Sequence, residues 1–158
     1  MRSLNLLIAG LIVVILFASC SKQDKLEINS TSFMYSADSS SDQKIQVELN
    51  GYFDNKDNYF KGILKINDGI EYPTVLFSPG LSGLIAYNGK ERIYLGEIFF
   101  DKNSQHFTLE ISNADLYYSL THRKYENQKL IISSPAESLE QAIEMNRTLK
   151  LPVMTPNK

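Results

Sequence analysis

Hydrophobic and polar residues alternate along most of the chain between Ile45 and Ile132. Phe107, Leu109 and Ile111, for example, are separated by single polar residues. Such alternation places apolar side chains on one face of a β-strand. The pattern predicts about seven strands, over residues 45–50, 60–66, 72–77, 84–87, 92–100, 107–111 and 130–132.

Turn-forming residues separate these segments. Asn67-Asp68-Gly69 and Asn88-Gly89 are typical of hairpin connections. The run 54–58 is rich in Asp and Asn, which bond their own backbone in turns. Pro73 restricts its strand to a sheet edge or to a late start. The fold we expect is mainly β, an antiparallel sandwich or small barrel with one C-terminal helix.

Two strands also resemble each other. Residues 60–67 parallel residues 94–101, and the match places Gly62 and Gly96 at equivalent positions. A glycine within a strand often marks a bend, so matching glycines favour a curved sheet. The alternative is that β-proteins repeat hydrophobic patterns by necessity.

The C-terminal part has helical spacing. Ser134-Pro135-Ala136-Glu137 combines a capping serine, a proline at the first helical position and a glutamate at the third. We expect a helix of about 13 residues that ends near Leu149. The stripe that packs it on the sheet is Leu139, Ala142, Ile143 and Met145.

The first 20 residues have the organisation of an export signal. Arg2 precedes an uncharged apolar run over residues 6–17, which is shorter than the roughly 20 residues that a spanning helix needs. The run matches a secretory signal peptide. Its end, Phe17-Ala18-Ser19-Cys20, resembles the bacterial lipobox, although Phe17 stands where the box normally has leucine.

This resemblance implies cleavage before Cys20 and a diacylglycerol on the Cys20 sulfur. Cys20 is also the only cysteine, so it has no internal disulfide partner. The alternative is an uncleaved anchor helix with an incidental cysteine. We expect a signal peptide over residues 1–19, a lipidated cysteine and polar tether over 20–44, and a β-rich domain over 45–158. Within the tether, Phe33 and Tyr35 mark one possible strand.

The chain would then be lipid-anchored at the extracytoplasmic face of a bacterial envelope. Its body resembles small uncharacterised lipoproteins of low-GC bacteria, and this resemblance implies no activity. The net charge of −2 gives no basic surface for nucleic acid or for anionic lipid headgroups. The membrane partner would therefore be reached through the lipid on Cys20.

No local motif indicates a cofactor: phosphate loops, dinucleotide fingerprints and nucleophile elbows are missing from the sequence. His106 lies on the polar face of a strand and His122 in the loop-like segment 113–128, and neither belongs to a zinc motif. Asp54, Asp57, Asn58 and Asp68 could offer oxygens to calcium, but Lys56 interrupts the ligand pattern. We therefore interpret these acidic residues as turn formers and expect no metal.

Glu97 and Glu110 lie on neighbouring predicted strands and could face each other, as two-carboxylate glycoside chemistry requires. Carboxylates on a solvated sheet face are the commoner case. Tyrosine is the other candidate feature, because its rigid amphipathic ring suits either strand packing or an exposed patch for sugars or proteins. These tyrosines are Tyr52, Tyr59, Tyr72, Tyr87, Tyr94, Tyr117, Tyr118 and Tyr125.

Two classes of function stay open. The first is a non-enzymatic module that binds a protein, a wall polymer or a small molecule. The second is an envelope hydrolase whose site is assembled from distant residues. The lack of a local catalytic motif favours the first. A pocket lined by convergent acids or by both histidines would favour the second.

Overall fold

The structure is a computed structural model that describes residues 23–37 and 41–154, with side chains as far as Leu151. The signal peptide over residues 1–19 and the lipidation of Cys20 lie outside the described residues. Within the described part, no helix is both long enough and apolar enough to cross a membrane.

The fold is an antiparallel β-barrel in which consecutive strands pair and the last strand pairs with the first. This confirms the prediction of a mainly β fold and decides for the barrel over the sandwich. Each of the seven predicted segments is a strand, and an eighth strand precedes them. The strands are β1 (Gln23–Ser36), β2 (Gln43–Asp54), β3 (Tyr59–Ile66), β4 (Ile70–Phe77), β5 (Gly83–Asn88), β6 (Glu91–Asp101), β7 (His106–Ile111) and β8 (Leu130–Ser134).

The expected tether is wrong over most of its length, because β1 begins at Gln23 and pairs with both β2 and β8. The folded domain therefore starts well before Ile45. The alternating pattern is hidden because β1 buries Ser32 and half-buries Ser30 where apolar residues would be expected. The Ser30 hydroxyl is satisfied by that of Ser134, 2.5 Å away. Residues 37–42 remain as the connection to β2.

The barrel interior is packed with large apolar side chains. The largest of those that are fully buried include Phe60, Phe107, Met34, Leu49, Leu64, Ile66, Leu84, Leu95, Leu109 and Ile111. An eight-stranded barrel is just wide enough for side chains to fill it or to hold one small ligand. Here side chains fill it, which favours a binding surface on the outside of the barrel.

Gly62 and Gly96 both lie beside shifts in strand register. Gly96 has a φ of 144°, which side chains rarely adopt, and it follows an extra residue in β6. Beside Gly62, β4 has one residue more than β3, so that Pro73 and Thr74 lie opposite Ile63. Pro73 is thus accommodated by a bulge within the strand, and neither the predicted edge position nor the late start is needed. Both glycines thus lie beside irregularities of a sheet that closes into a barrel.

The segment 113–128 was expected to be loop-like, but it contains helix α1 (Ala114–Thr121). The Asn113 side chain caps this helix by accepting a hydrogen bond from the Leu116 amide, 2.9 Å away. Leu116 and Tyr117 are buried and join the barrel core. The helix closes the end of the barrel at which β7 finishes.

The C-terminal helix is present as α2 (Leu139–Met154). It starts later than expected, because Ser134 is the last residue of β8 and pairs with Phe107. Ser138 occupies the capping position instead: its carbonyl accepts from the Ala142 amide at 3.1 Å and its hydroxyl from the Gln141 amide at 3.4 Å. The predicted cap at Ser134 is therefore wrong.

Candidate functional site

A groove of about 620 Å³ separates α2 from the turn between β6 and β7. We call it the helix groove. Its barrel side is formed by Asp101, Ser104 and His106. Its remaining lining residues are Pro135, Glu140, Gln141, Glu144, Met145, Thr148 and Leu149. Residues that are distant in sequence thus meet here because α2 folds back onto the barrel.

Buried polar contacts fix the position of α2 on the barrel wall. The Ser133 hydroxyl on β8 donates to the Ala142 carbonyl at 2.9 Å. Ser133 also contacts the Thr108 hydroxyl on β7, at 3.0 Å. One turn further along the helix, the Asn146 amide donates to the Tyr35 hydroxyl at 3.1 Å. These contacts on three strands hold one wall of the helix groove in place.

Glu110 ties the helix to the barrel through charge. It lies directly opposite Glu97 across the β6–β7 ladder, so the predicted pairing of these two residues is confirmed. Glu110 is only 4% exposed, and it accepts hydrogen bonds from Lys129, at 2.9 Å, and from Lys150. The Lys150 ammonium also lies 5.2 Å from the centre of the Phe99 ring.

These contacts decide what Glu110 can do chemically. Burial pushes the pKa of Glu110 upward, but the hydrogen bonds and charges of Lys150 and Lys129 outweigh it and hold the pKa below its ordinary value. A general acid for glycoside cleavage needs a raised pKa. The structure therefore gives Glu110 the role of fastening α2 and not that of a proton donor beside Glu97.

The turn that carries Asp101 forms the barrel side of the helix groove. Asp101 accepts hydrogen bonds from the Ser104 hydroxyl at 2.7 Å and from the Asn103 amide at 3.0 Å. These bonds, together with the nearby charge of His106, lower the pKa of Asp101. The Ser104 hydroxyl donates to a carboxylate and not to the imidazole, whereas an activated serine would donate to its base.

The helix side of the groove carries two further carboxylates. The Glu144 carboxylate receives two hydrogen bonds from Arg147, 2.9 Å from Nε and 2.6 Å from Nη2, and these lower its pKa. The pKa of Glu140 is lowered by backbone and Ser138 hydrogen bonds at the start of α2. Among the described residues that line the groove, none is lysine or arginine. Three carboxylates therefore line the groove, and one of them, that of Glu144, is paired with Arg147.

The other candidate residues are placed elsewhere. His122 caps the C-terminal end of α1 with a φ of 55°, and it does not line the helix groove with His106. Asp54 accepts hydrogen bonds from the amides of Lys56 and Asp57, at 2.9 and 3.1 Å, as a turn former does. Within residues 23–37 and 41–154, no group of three or more acidic, His or Cys side chains is arranged to hold a metal ion.

Of the candidate tyrosines, some are buried and others are exposed. Tyr117 is buried in the core under α1, where its ring meets that of Tyr125 at 5.3 Å. Tyr52, Tyr94 and Tyr118 each expose more than half of their surface. Tyr52 and Tyr94 lie on the outer wall of the barrel, and Tyr118 lies on α1.

No protein-family model matches this chain, and no curated protein or solved structure matches it either. The site must therefore be interpreted from its own chemistry. Sequence reasoning identified His106 but missed Glu140 and Glu144. The sequence Ser138-Leu139-Glu140-Gln141 is a second capping motif that would start a helix containing both glutamates, but only the structure places that helix beside the turn of Asp101.

Proposed function

We propose that this chain is a lipid-anchored, extracytoplasmic binding module, and that the helix groove is its ligand site. The lipobox-like end of the N-terminal run at Cys20 supports the anchor. The packed barrel interior supports a site on the outside. The ligand would be a protein segment, a polymer or a small molecule that carries a protonated amine beside an apolar group.

The composition of the helix groove is the observation that carries this proposal. Ionised carboxylates lie on both sides of the groove, at Asp101 on the turn and at Glu140 and Glu144 on the helix. Met145 and Leu149 supply apolar surface between them. A ligand cation gains from a concentrated negative field, and an adjoining apolar group gains from leaving water. An anionic ligand is disfavoured by the same field.

One observation favours the alternative of an envelope hydrolase. The groove brings His106 together with acids that are distant in sequence, which is the arrangement that a site assembled from distant residues requires. Against it, each of the three carboxylates has a lowered pKa, and Ser104 donates to Asp101. Binding is therefore the function that we propose first.

The anchor is tested by metabolic labelling with a tagged fatty acid. We expect label on the wild-type chain and none on Cys20→Ala, which should also keep its signal peptide. Equal labelling of the two chains would refute the anchor.

The ligand site is tested with a fluorescent peptide that alternates lysine and leucine, and with a peptide that alternates glutamate and leucine. By fluorescence anisotropy, the full chain should bind only the first, and binding should weaken as salt is raised. Glu140→Gln and Glu144→Gln should each weaken binding by up to roughly fivefold. Glu91→Gln, at the first residue of β6, is the matched control. Equal effects of all three changes would contradict this site.

A further inference from the structure

A row of outward-facing side chains crosses five consecutive strands of the barrel, from β2 to β6. In register order, Tyr52 pairs with Lys61, Lys61 with Leu76, Leu76 with Ile85, and Ile85 with Tyr94. The row thus has a tyrosine at each end, with Lys61 and the apolar residues Leu76 and Ile85 between them. Tyr52 is 54% exposed and Tyr94 is 51% exposed.

Two exposed apolar residues flank this row: Ile63 on β3 and Leu81 in the loop between β4 and β5. Leu81 is 78% exposed, the largest value among the exposed large apolar side chains of the described chain. We call the row together with Ile63 and Leu81 the tyrosine face. The helix α2 packs mainly against β7, β8, β1 and β6, and the row's residue on β6, Tyr94, still stays about half exposed. Contiguous exposed apolar surface commonly marks an interaction site.

The tyrosine face is grooved and not smoothly convex. Gly51 and Gly62 pair across β2 and β3, and the ring of Phe60 packs against them. On the outer side, a groove of about 400 Å³ lies over this glycine pair, next to Ile63. A second groove, of about 460 Å³ and bordered by Leu81, shares Tyr59 with the first.

The position of the start of β1 indicates what covers this face. Gln23, the first residue of β1, itself lines the groove over the glycine pair. Cys20 precedes it by only three residues. Three residues of fully extended chain span at most about 10 Å. A lipid on Cys20 would therefore hold the bilayer surface within about that distance of the tyrosine face.

We infer that the tyrosine face is a membrane-docking surface that lies on the bilayer into which Cys20 is anchored. This inference rests on the proposed lipid anchor. Tyrosine rings favour the interface between headgroups and acyl chains, where one end is apolar and the other wet. Leu81 reaches into the apolar boundary, while Lys61 extends its ammonium toward the headgroups. The helix groove, which lies beside α2, then faces the aqueous phase.

The test uses the full lipidated chain in vesicles of phosphatidylethanolamine and phosphatidylglycerol. Because Cys20 is the only cysteine and its sulfur is blocked by lipid, single cysteines introduced elsewhere take an environment-sensitive dye uniquely. The dye is placed at Tyr52→Cys, Tyr94→Cys or Leu81→Cys. Tyr118→Cys, on a residue of α1 that is 59% exposed, is the matched control.

We expect blue-shifted emission and quenching by a lipid-borne nitroxide at the three face positions, and neither at position 118. With the dye at position 81, the double change Tyr52→Glu and Tyr94→Glu should shift the emission back toward that of water, whereas Tyr118→Glu should not. A blue shift without quenching by lipid would show that protein, such as a second copy, covers the face, and would overturn the inference. The same emission at all positions would also overturn it.

A failure of the proposed anchor can be distinguished from a failure of the proposed docking surface. If the wild-type chain takes up no fatty acid, both the proposed anchor and the docking surface are refuted. If it takes up fatty acid and the face positions remain in water, the docking surface alone is refuted.

Discussion

Lys150, near the end of α2, donates a hydrogen bond to the buried carboxylate of Glu110 on β7. Lys150→Met should lower the free energy of unfolding by about 1.5–3 kcal/mol, because it leaves a buried charge with one partner fewer. The midpoint of urea unfolding measures this. Lys44→Met is the control, because it removes an exposed ion pair with Glu137 and should have little effect. Equal shifts would show that Glu110 does not depend on Lys150.

The lowered pKa of Glu110 predicts how the free energy of unfolding changes with pH. The pKa of Glu110 is lower in the folded protein than its ordinary value. A group with a lowered folded pKa stabilises the fold above its unfolded pKa, about 4.3 for glutamate, and loses that contribution as the pH falls through the folded value. We expect the urea midpoint to fall on acidification below about pH 4.3. Glu110→Gln should be less stable at neutral pH and should show a flatter profile. Parallel profiles would contradict this role.

The paired glycines of β2 and β3 predict a packing effect. A methyl group at Gly51 would lie 2.8 Å from the ring carbon Cζ of Phe60 and 2.5 Å from the Cα of Gly62. Gly51→Ala should therefore destabilise the protein by about 1–3 kcal/mol, as overpacking does. Gly69→Ala is the control, because nothing lies within 4 Å of the added methyl group. Thermal unfolding of both variants, followed by circular dichroism, distinguishes them.

The start of α2 predicts a capping effect at Ser138. Ser138→Ala should cost about 0.5–2 kcal/mol, because the Gln141 amide loses its hydroxyl acceptor. Gln141→Ala should also destabilise the cap, because the Gln141 side chain accepts from the Glu137 amide at 2.8 Å. Chemical denaturation measures both changes, and no shift in either would mean that the helix begins elsewhere.

The choice between binding module and hydrolase has a direct test. The purified chain is screened against ester, peptide and glycan substrates, and again as the double variant His106→Ala and His122→Ala. We expect no activity that depends on these histidines. Activity that falls at least ~100-fold in the double variant would refute the binding module. Activity that is the same in the double variant would come from a contaminant or from catalysis by carboxylates. Glu97 and Glu110 would then be the next residues to substitute.

The strands could be predicted from the sequence because barrel walls separate an apolar inside from a polar outside. Of the first strand, only the part around Phe33 and Tyr35 could be predicted, because β1 places Ser30 and Ser32 where the pattern calls for apolar residues. Their hydroxyls need not be solvated, since Ser30 bonds to Ser134 and Ser32 donates to the Ser30 carbonyl at 3.3 Å. Local pattern cannot reveal a partner that lies more than 100 residues away.

The candidate site was harder to predict, because it depends on how α2 folds back. Two serines, Ser134 and Ser138, are each followed three residues later by Glu or Gln. Tertiary pairing decides between them, since Ser134 completes the ladder between β7 and β8. That choice fixes which helix residues face the turn of Asp101. Glu140 and Glu144 could therefore be assigned to the helix groove only from the structure.

Closure of the barrel between β1 and β8 also sets the order in which the protein can mature. Ser30 and Ser134 lie 104 residues apart, so one edge of β1 has no strand to pair with until nearly the whole chain has been made. Pairings over such separations require the closure of a long loop and form slowly. Until then the open strand edges favour association with other chains. The β1 edge that pairs with β8 is therefore the part of the barrel that stays open longest.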